Sequence, residues 1–421
     1  MDLFEKCKTD QGYFGKLRHS GDNYFTMPVI DSKPGPEMEY NGEKKIMWSV
    51  NSYLGLAGNE EIRQIAMDAV KEWSVSSPMG SRMMSGNTSE HIQFEKELAE
   101  FAQKESSILF NYGYLGVMGT IASLTGPDDM IIMDKLAHAS IVDGVLLAPA
   151  PFRVFKHNDM NSLEIVLKRV NKERKGGVLI VSEGTYGMTG DLAKLDEMCA
   201  LKEKYNARIF VDDAHGIGTM GENGRGTADY YGVQDKVDLY FGTFAKSFAS
   251  IGGFTAADKD VVDWIRYNAR TQVFAKSLPM VYVKTLRRAL EMVRDGEERR
   301  KRMWEISKKM RDGLRELGYY IGLGESPICA VFAPIGEEAA EEVGARLVHY
   351  LRHEKNVFTT AVIYPVVPLG LLMFRIIPTA AHSDEDVELT IKAFREMRDE
   401  MKLNLSMTDE DRKKIDKVYG K

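Results

Sequence analysis

Arg208-Ile209-Phe210-Val211-Asp212-Asp213-Ala214-His215 and Asp238-Leu239-Tyr240-Phe241-Gly242-Thr243-Phe244-Ala245-Lys246-Ser247 are two apolar runs that end in chemistry. The first delivers an acid and a histidine at the end of a buried strand, and the second a lysine after a small polar turn. Apolar runs without alternation belong to parallel strands covered on both faces. Ligands of open α/β sheets bind at the carboxyl ends of such strands, so both endings converge on one rim.

Lys246 stands among Phe244, Ala245 and Phe248, shortly before Gly252-Gly253. Desolvation lowers a lysine pKa and frees a neutral amine for a Schiff base. A lysine taken singly is more often solvated, but strand-end placement and Asp212 reverse that reading. Asp212 is the carboxylate that keeps a pyridine nitrogen protonated and electron-withdrawing, and the pair describes pyridoxal 5'-phosphate.

Outward from this centre, strands are predicted at Ile108–Phe110, Met130–Met133, Phe152–Phe155 and Val178–Val181, separated by helical stretches such as Leu195–Tyr205. Asn87 followed by Glu90 reads as a capping box opening a helix that buries Phe94, Leu98 and Phe101. After Phe254 come long amphipathic segments at Met280–Glu291 and Glu298–Leu317. Strands near Ile328–Phe332 and Leu372–Ile377 follow, with helices at Glu337–Glu354 and Ser383–Met397. The fold class is therefore α/β, a large, mostly parallel sheet domain with helices on both faces plus a smaller C-terminal α+β domain. The expected division is an N-terminal arm at 1–55, a large cofactor-binding domain at 56–295, a small domain at 296–403 and a charged, fraying tail at 404–421.

A chain of 421 residues with 44% hydrophobic content builds a sizeable core. Its net charge of −6 provides no basic excess to neutralise phosphates, which argues against a nucleic-acid partner. Cys7, Cys199 and Cys329 lie too far apart for a metal knuckle or redox pair, and no metal is expected. The N-terminus lacks a signal-peptide pattern and no run nears the roughly 18 apolar residues of a membrane span, so no transmembrane segment and a cytoplasmic location are expected.

An ordered set of motifs carries a family resemblance. It comprises Asn51-Ser52-Tyr53-Leu54-Gly55-Leu56, Gly113-Tyr114, Asp134 with His138-Ala139-Ser140, His157-Asn158-Asp159, Asp212-Asp213-Ala214-His215-Gly216, Gly224-Arg225-Gly226, Gly242-Thr243 with Lys246, Gly252-Gly253, Ser277-Leu278-Pro279, and Arg375 with His382. From about Asn51 to Asp386 the chain resembles the α-oxoamine synthases, the family of serine palmitoyltransferase, 8-amino-7-oxononanoate synthase, glycine C-acetyltransferase and 5-aminolevulinate synthase. The resemblance implies fold-type I, a homodimer with a shared active site, and pyridoxal phosphate bound as a Schiff base to Lys246. It implies further that Asp212 pairs with the pyridinium, His215 reaches the ring hydroxyl and His138 stacks on the ring. Gly113, Tyr114 and Thr243 would contact the phosphate, with Ser277 reaching it from the neighbouring subunit. Asn51 and Tyr53 would form the substrate-facing rim, and Arg375 would grip the amino-acid carboxylate.

Three positions depart from the family pattern: Val117 for the usual Asn, Gly187 for Ser, and Ala245 for the frequent Ser or Thr. His138 and His215 taken alone also read as core histidines, as His91 and His157 do here. The expected activity is a decarboxylating condensation of a small amino acid, serine or a serine-like one such as cysteate, with a long-chain acyl-CoA or acyl carrier protein thioester, feeding sphingoid or sulfonolipid bases. Bulky residues at Met83-Met84, Tyr112, Tyr114, Tyr186 and Met188 motivate the long chain. The alternatives are a short-chain or biotin-pathway synthase of this family and a fold-type I aminotransferase or lyase. A regulatory subunit would have lost the lysine.

Overall fold

The computed structural model describes residues 2–11, 27–336, 340–364 and 366–420. They form two units: Asn51–Trp304 with Glu325–Pro327 and Tyr419–Lys421, and Met1–Val50 with Glu305–Gly324 and Ile328–Val418.

The first unit is built on a seven-stranded sheet. Its order is Ser106–Phe110, Gly253–Ala257, Leu239–Thr243, Arg208–Asp212, Val178–Glu183, Met130–Asp134, Phe152–Phe155. Gly253–Ala257 runs antiparallel to both neighbours; the other pairings are parallel. Successive residues of each strand feed two different cores. Ile132, Ile180, Val211 and Tyr240 join one with Phe94 and Leu98, whereas Ile131, Val181, Phe210 and Phe241 join the other with Val117, Ile121, Ile141 and Val145. That is the period-two signature of a sheet covered on both faces. Each fully buried phenylalanine or isoleucine contributes roughly 1.5–3 kcal/mol of transfer free energy.

This parity positions the site. Asp212 follows Phe210 by two residues, Glu183 follows Val181 by two and Thr243 follows Phe241 by two, so all three project on the second face. The helices Gly113–Leu124 and Ala139–Leu147 cover that same face with Val117, Ile121, Ile141 and Val145. Their N-termini bring Gly113 and His138 to the polar strand ends.

The second unit carries a four-stranded antiparallel sheet ordered Tyr320–Ile321, Cys329–Pro334, Leu371–Ile376, Thr360–Val362. A three-stranded sheet joins Glu37–Tyr40, Glu43–Met47 and Val357–Phe358. Trp48 is fully buried, with its ring stacked 3.8 Å from that of His382 and its Nε1 donating to Thr390 Oγ1 at 2.8 Å. The helix Asp384–Glu400 starts with a capping box between Ser383 and Asp386. Among the described residues no helix is long and apolar enough to cross a membrane.

Several local expectations are corrected. The helix expected to open at Asn87 is capped by Thr88, whose Oγ1 accepts from the His91 N–H, and Glu90 bonds Lys284 and Arg287 instead of closing a box. Part of the expected arm is a hairpin turned by Asn41-Gly42, both at positive φ, as a two-residue turn matching strand twist requires; residues 12–26 of that arm lie outside the described residues. The helix expected over Glu337–Glu354 is Ala340–His349 followed by a π turn at Tyr350–Glu354, and residues 337–339 lie outside the described residues. The tail expected to fray holds the helix Asp409–Val418, with reciprocal Thr408 and Asp411 bonds at its start and Ile415 fully buried.

Candidate active site

Four neighbouring parallel strands end in polar residues: Asp134, Glu183, Asp212 and Thr243. Asp212 is buried, and its Oδ1 accepts from the Ala214 N–H at 3.2 Å. Burial raises its pKa, while the charges of Lys246 and His138 oppose that rise. Lys246 is half-buried and flanked in sequence by the fully buried Phe244 and Phe248, whose rings pack on each other at 5.3 Å, in a turn closed by the Ala249 N–H donating to the Lys246 C=O at 2.9 Å. Asp212, Lys246 and His138 are thus electrostatic neighbours; this histidine caps the Ala139–Leu147 helix and is not the His215 that follows the Asp212 strand.

Asp213 is fully buried. It accepts from the Thr227 N–H and hydroxyl, each at 2.6 Å, and from Tyr240 OH at 3.2 Å. Burial pushes its carboxyl up to about 6 against those bonds. Asp213 therefore fixes the loop after the strand and leaves Asp212 to face the site.

His138 caps the helix Ala139–Leu147 with its ring: Nδ1 accepts from the Ser140 N–H at 3.2 Å and lies 2.7 Å from Ser140 Oγ. An accepting Nδ1 puts the imidazole proton on Nε2. Burial first, and then Lys246 against Asp212, hold its pKa below the ordinary histidine value. Tyr114 packs edge-on against this ring at 6.1 Å and gives its hydroxyl to Asp143.

His215 takes its orientation from Tyr53, whose hydroxyl lies 2.7 Å from Nδ1. A Cβ at Gly187 would collide with Nε2 of that ring. Residue 187 is thus sterically coupled to the imidazole. Asn51 accepts the Tyr53 N–H on its backbone carbonyl at 2.9 Å, in the turn that carries both.

The helix Gly113–Leu124 receives no side-chain cap from Tyr112. A Cβ on Gly113 would stand 2.7 Å from Thr243 Oγ1, so a backbone helix end meets a hydroxyl with nothing between. Thr243 Oγ1 also accepts from the Ala245 N–H at 3.3 Å, which keeps the turn together without a hydroxyl at 245. Ser277 is buried and donates both N–H and Oγ–H to the Gly80 carbonyl at 2.9 Å. Arg375 belongs to the second unit, half-buried on the Leu371–Ile376 strand opposite Ala330 and Thr360.

This donor set fits pyridoxal phosphate. A buried carboxylate suits its ring nitrogen, a helix N-terminus beside a threonine suits its phosphate, and a half-buried lysine that is a charge neighbour of that carboxylate suits its aldehyde. His157, read as a core histidine, is one: its nitrogens lie 2.8 Å from Asp134 and 2.9 Å from Asp191. His91 is another, donating Nε2–H to the Leu278 carbonyl at 2.8 Å. Glu183 is a further acid at this rim, ending the Val178–Glu183 strand beside Asp212. Its signal was present, because an acid directly after an apolar strand and before Gly184 lies at the same kind of strand end as Asp212.

The family model for class I and II aminotransferases matches residues 43–394. A cysteate-C-fatty acyltransferase from Capnocytophaga ochracea is 43% identical over 405 residues, covering 95% of each chain. A serine palmitoyltransferase from Bacteroides ovatus is 38% identical, covering 87% of this chain and 92% of the relative. A solved serine palmitoyltransferase variant from S. paucimobilis, with a PLP–myriocin aldimine bound, superposes with a TM-score of 0.86 at 28% identity, covering 96% of this chain and all of that one (100%). The chain belongs to the class I and II aminotransferase family of fold-type I enzymes and, within it, to the α-oxoamine synthases. Its cofactor is pyridoxal phosphate, and it is a C-acyltransferase.

Proposed function

We propose that this enzyme, a cytoplasmic homodimer, condenses cysteate in preference to serine with a long-chain acyl thioester to make the base of a sulfonolipid. What carries the reading is the 43% identity over 95% of the chain to a cysteate-C-fatty acyltransferase, on a rim where Lys246 and Asp212 are charge neighbours. The balance is simple. Amino acid, acyl thioester and one proton give α-oxoamine, CO2 and free thiol.

Bound pyridoxal phosphate supplies an electron sink for the bonds of the amino-acid Cα. Asp212 balances the charge on the ring nitrogen from its buried position. The amide end of the Gly113–Leu124 helix, with Tyr114 and Thr243, holds the phosphate, and Ser277 serves the phosphate of the neighbouring subunit. Lys246 takes the Cα proton and returns one after CO2 leaves. His138, neutral with its proton on Nε2, stacks on the ring and donates toward an incoming oxygen. His215, held by Tyr53, serves the ring hydroxyl; Asn51 lines the substrate rim. Arg375 takes the carboxylate, for which its planar fork is suited.

A matrix of cysteate, serine, alanine and glycine against acetyl, medium and palmitoyl thioesters of coenzyme A and acyl carrier protein tests the substrates. The highest kcat/KM is expected for cysteate with the palmitoyl thioester. Preference for glycine with acetyl-CoA would sink the lipid reading.

A further inference from the structure

Glu183 and Asp212 are register partners at the ends of adjacent parallel strands. The parity of the two cores sends both side chains to the same face, and both carboxyls are buried. Neighbouring strands lie about 4.8 Å apart, so this is a carboxylate pair in a dry place. Two such groups do not both ionise readily.

The groups that face Glu183 decide which one gives way. Asp212 and Asp134 bear on it with negative charge and Lys246 with positive charge, while the Gly187 N–H reaches Glu183 Oε2 at a long 3.4 Å. The buried Tyr186 phenol contributes no charge, because burial and Asp134 hold it well above the ordinary tyrosine value. Asp134 is already engaged with His157. Lys246 faces both carboxylates, and of these Asp212 accepts the closer backbone N–H, from Ala214 at 3.2 Å. Burial first, then Asp212, push the Glu183 carboxyl up to about 8.

We infer that Glu183 is a positioning residue for Asp212: it stands at the site as a neutral, protonated acid, so that Asp212 alone balances the charge of the cofactor's ring nitrogen. This rests on the proposed function in one respect, the pairing of Asp212 with that nitrogen. The proton on Glu183 keeps the charge ratio at the ring nitrogen at one to one. An ionised Glu183 would add a second negative charge beside Asp212 and raise the proton affinity of the ring nitrogen about tenfold for each unit of pKa shift.

The test uses full-length holoenzyme, wild type, Glu183→Gln and Glu183→Ala, with infrared difference spectroscopy of the protonated-carboxyl stretch and the pH profile of the bound cofactor's visible absorption. The wild type is expected to show a protonated carboxyl at pH 7 that disappears as pH is raised, and Glu183→Gln to lack it. Glu183→Gln should keep the wild-type cofactor affinity and absorption profile, because an amide mimics a neutral acid; Glu183→Ala should weaken both. No protonated carboxyl at pH 7, or a Glu183→Gln profile displaced as far as removal of a charge demands, overturns the inference. The wild-type titration decides by itself if the glutamine variant does not fold. Failure of borohydride to attach the cofactor at Lys246 would sink the functional reading and leave the Glu183 result standing.

Discussion

Ser140 gives its backbone N–H to Nδ1 of His138 at 3.2 Å, and its hydroxyl lies 2.7 Å from the same nitrogen. Both bonds favour the neutral ring with its proton on Nε2. Ser140→Ala keeps the first and loses the second, so the pKa of His138 is expected to rise towards the ordinary histidine value, with a loss of about 1 kcal/mol in stability. Nitrogen-15 NMR of labelled histidine checks this. An unchanged His138 titration in the variant would show that the hydroxyl does not control the ring.

His157 makes the opposite prediction. Burial opposes its charge, but bonds and charges from Asp134 and Asp191 outweigh burial and hold the imidazole up at about 9. A folded pKa above the unfolded value near 6.5 contributes stability that is fully present below about pH 6.5 and lost as pH rises through 9. Denaturant melts of the wild type and His157→Gln should therefore differ most at low pH and converge near pH 10, the difference reaching about 3 kcal/mol at most. A gap that stays constant with pH would contradict a charged His157.

Gly187 is expected to resist replacement by serine. A serine there puts a Cβ against His215 Nε2, so the ring must leave Tyr53. Gly187→Ser should lower kcat/KM by roughly ten- to a hundredfold through misplacement of the imidazole. Unchanged kcat/KM with unchanged cofactor affinity would mean that the ring has room to move.

Much of this arrangement was legible in the sequence because the deciding signals are local. Val178–Val181 and Ile209–Val211 are apolar runs too short for buried helices, and the acids that follow them mark strand ends. Gly253–Ala257 was not legible as a strand. Its glycine and alanines carry little apolar signal, and it owes its place to being fully buried between two neighbours. Asn41-Gly42 was a legible hairpin signal that the charge around it obscured. Choosing Thr88 over Asn87 as the cap depends on which side chain reaches the His91 N–H, and that is settled by backbone geometry. Glu183 resembled any acid ending a strand; only the register with Asp212 and the burial of both make it distinctive.

The central claim is that this rim couples carbon–carbon bond formation to decarboxylation through Lys246 and its cofactor. The direct measurement follows CO2 and free thiol together from cysteate and a palmitoyl thioester, using wild type and Lys246→Ala. Equal amounts of CO2 and thiol from the wild type, and neither from the variant, are expected. Thiol released without CO2, or full turnover by Lys246→Ala, would contradict the claim.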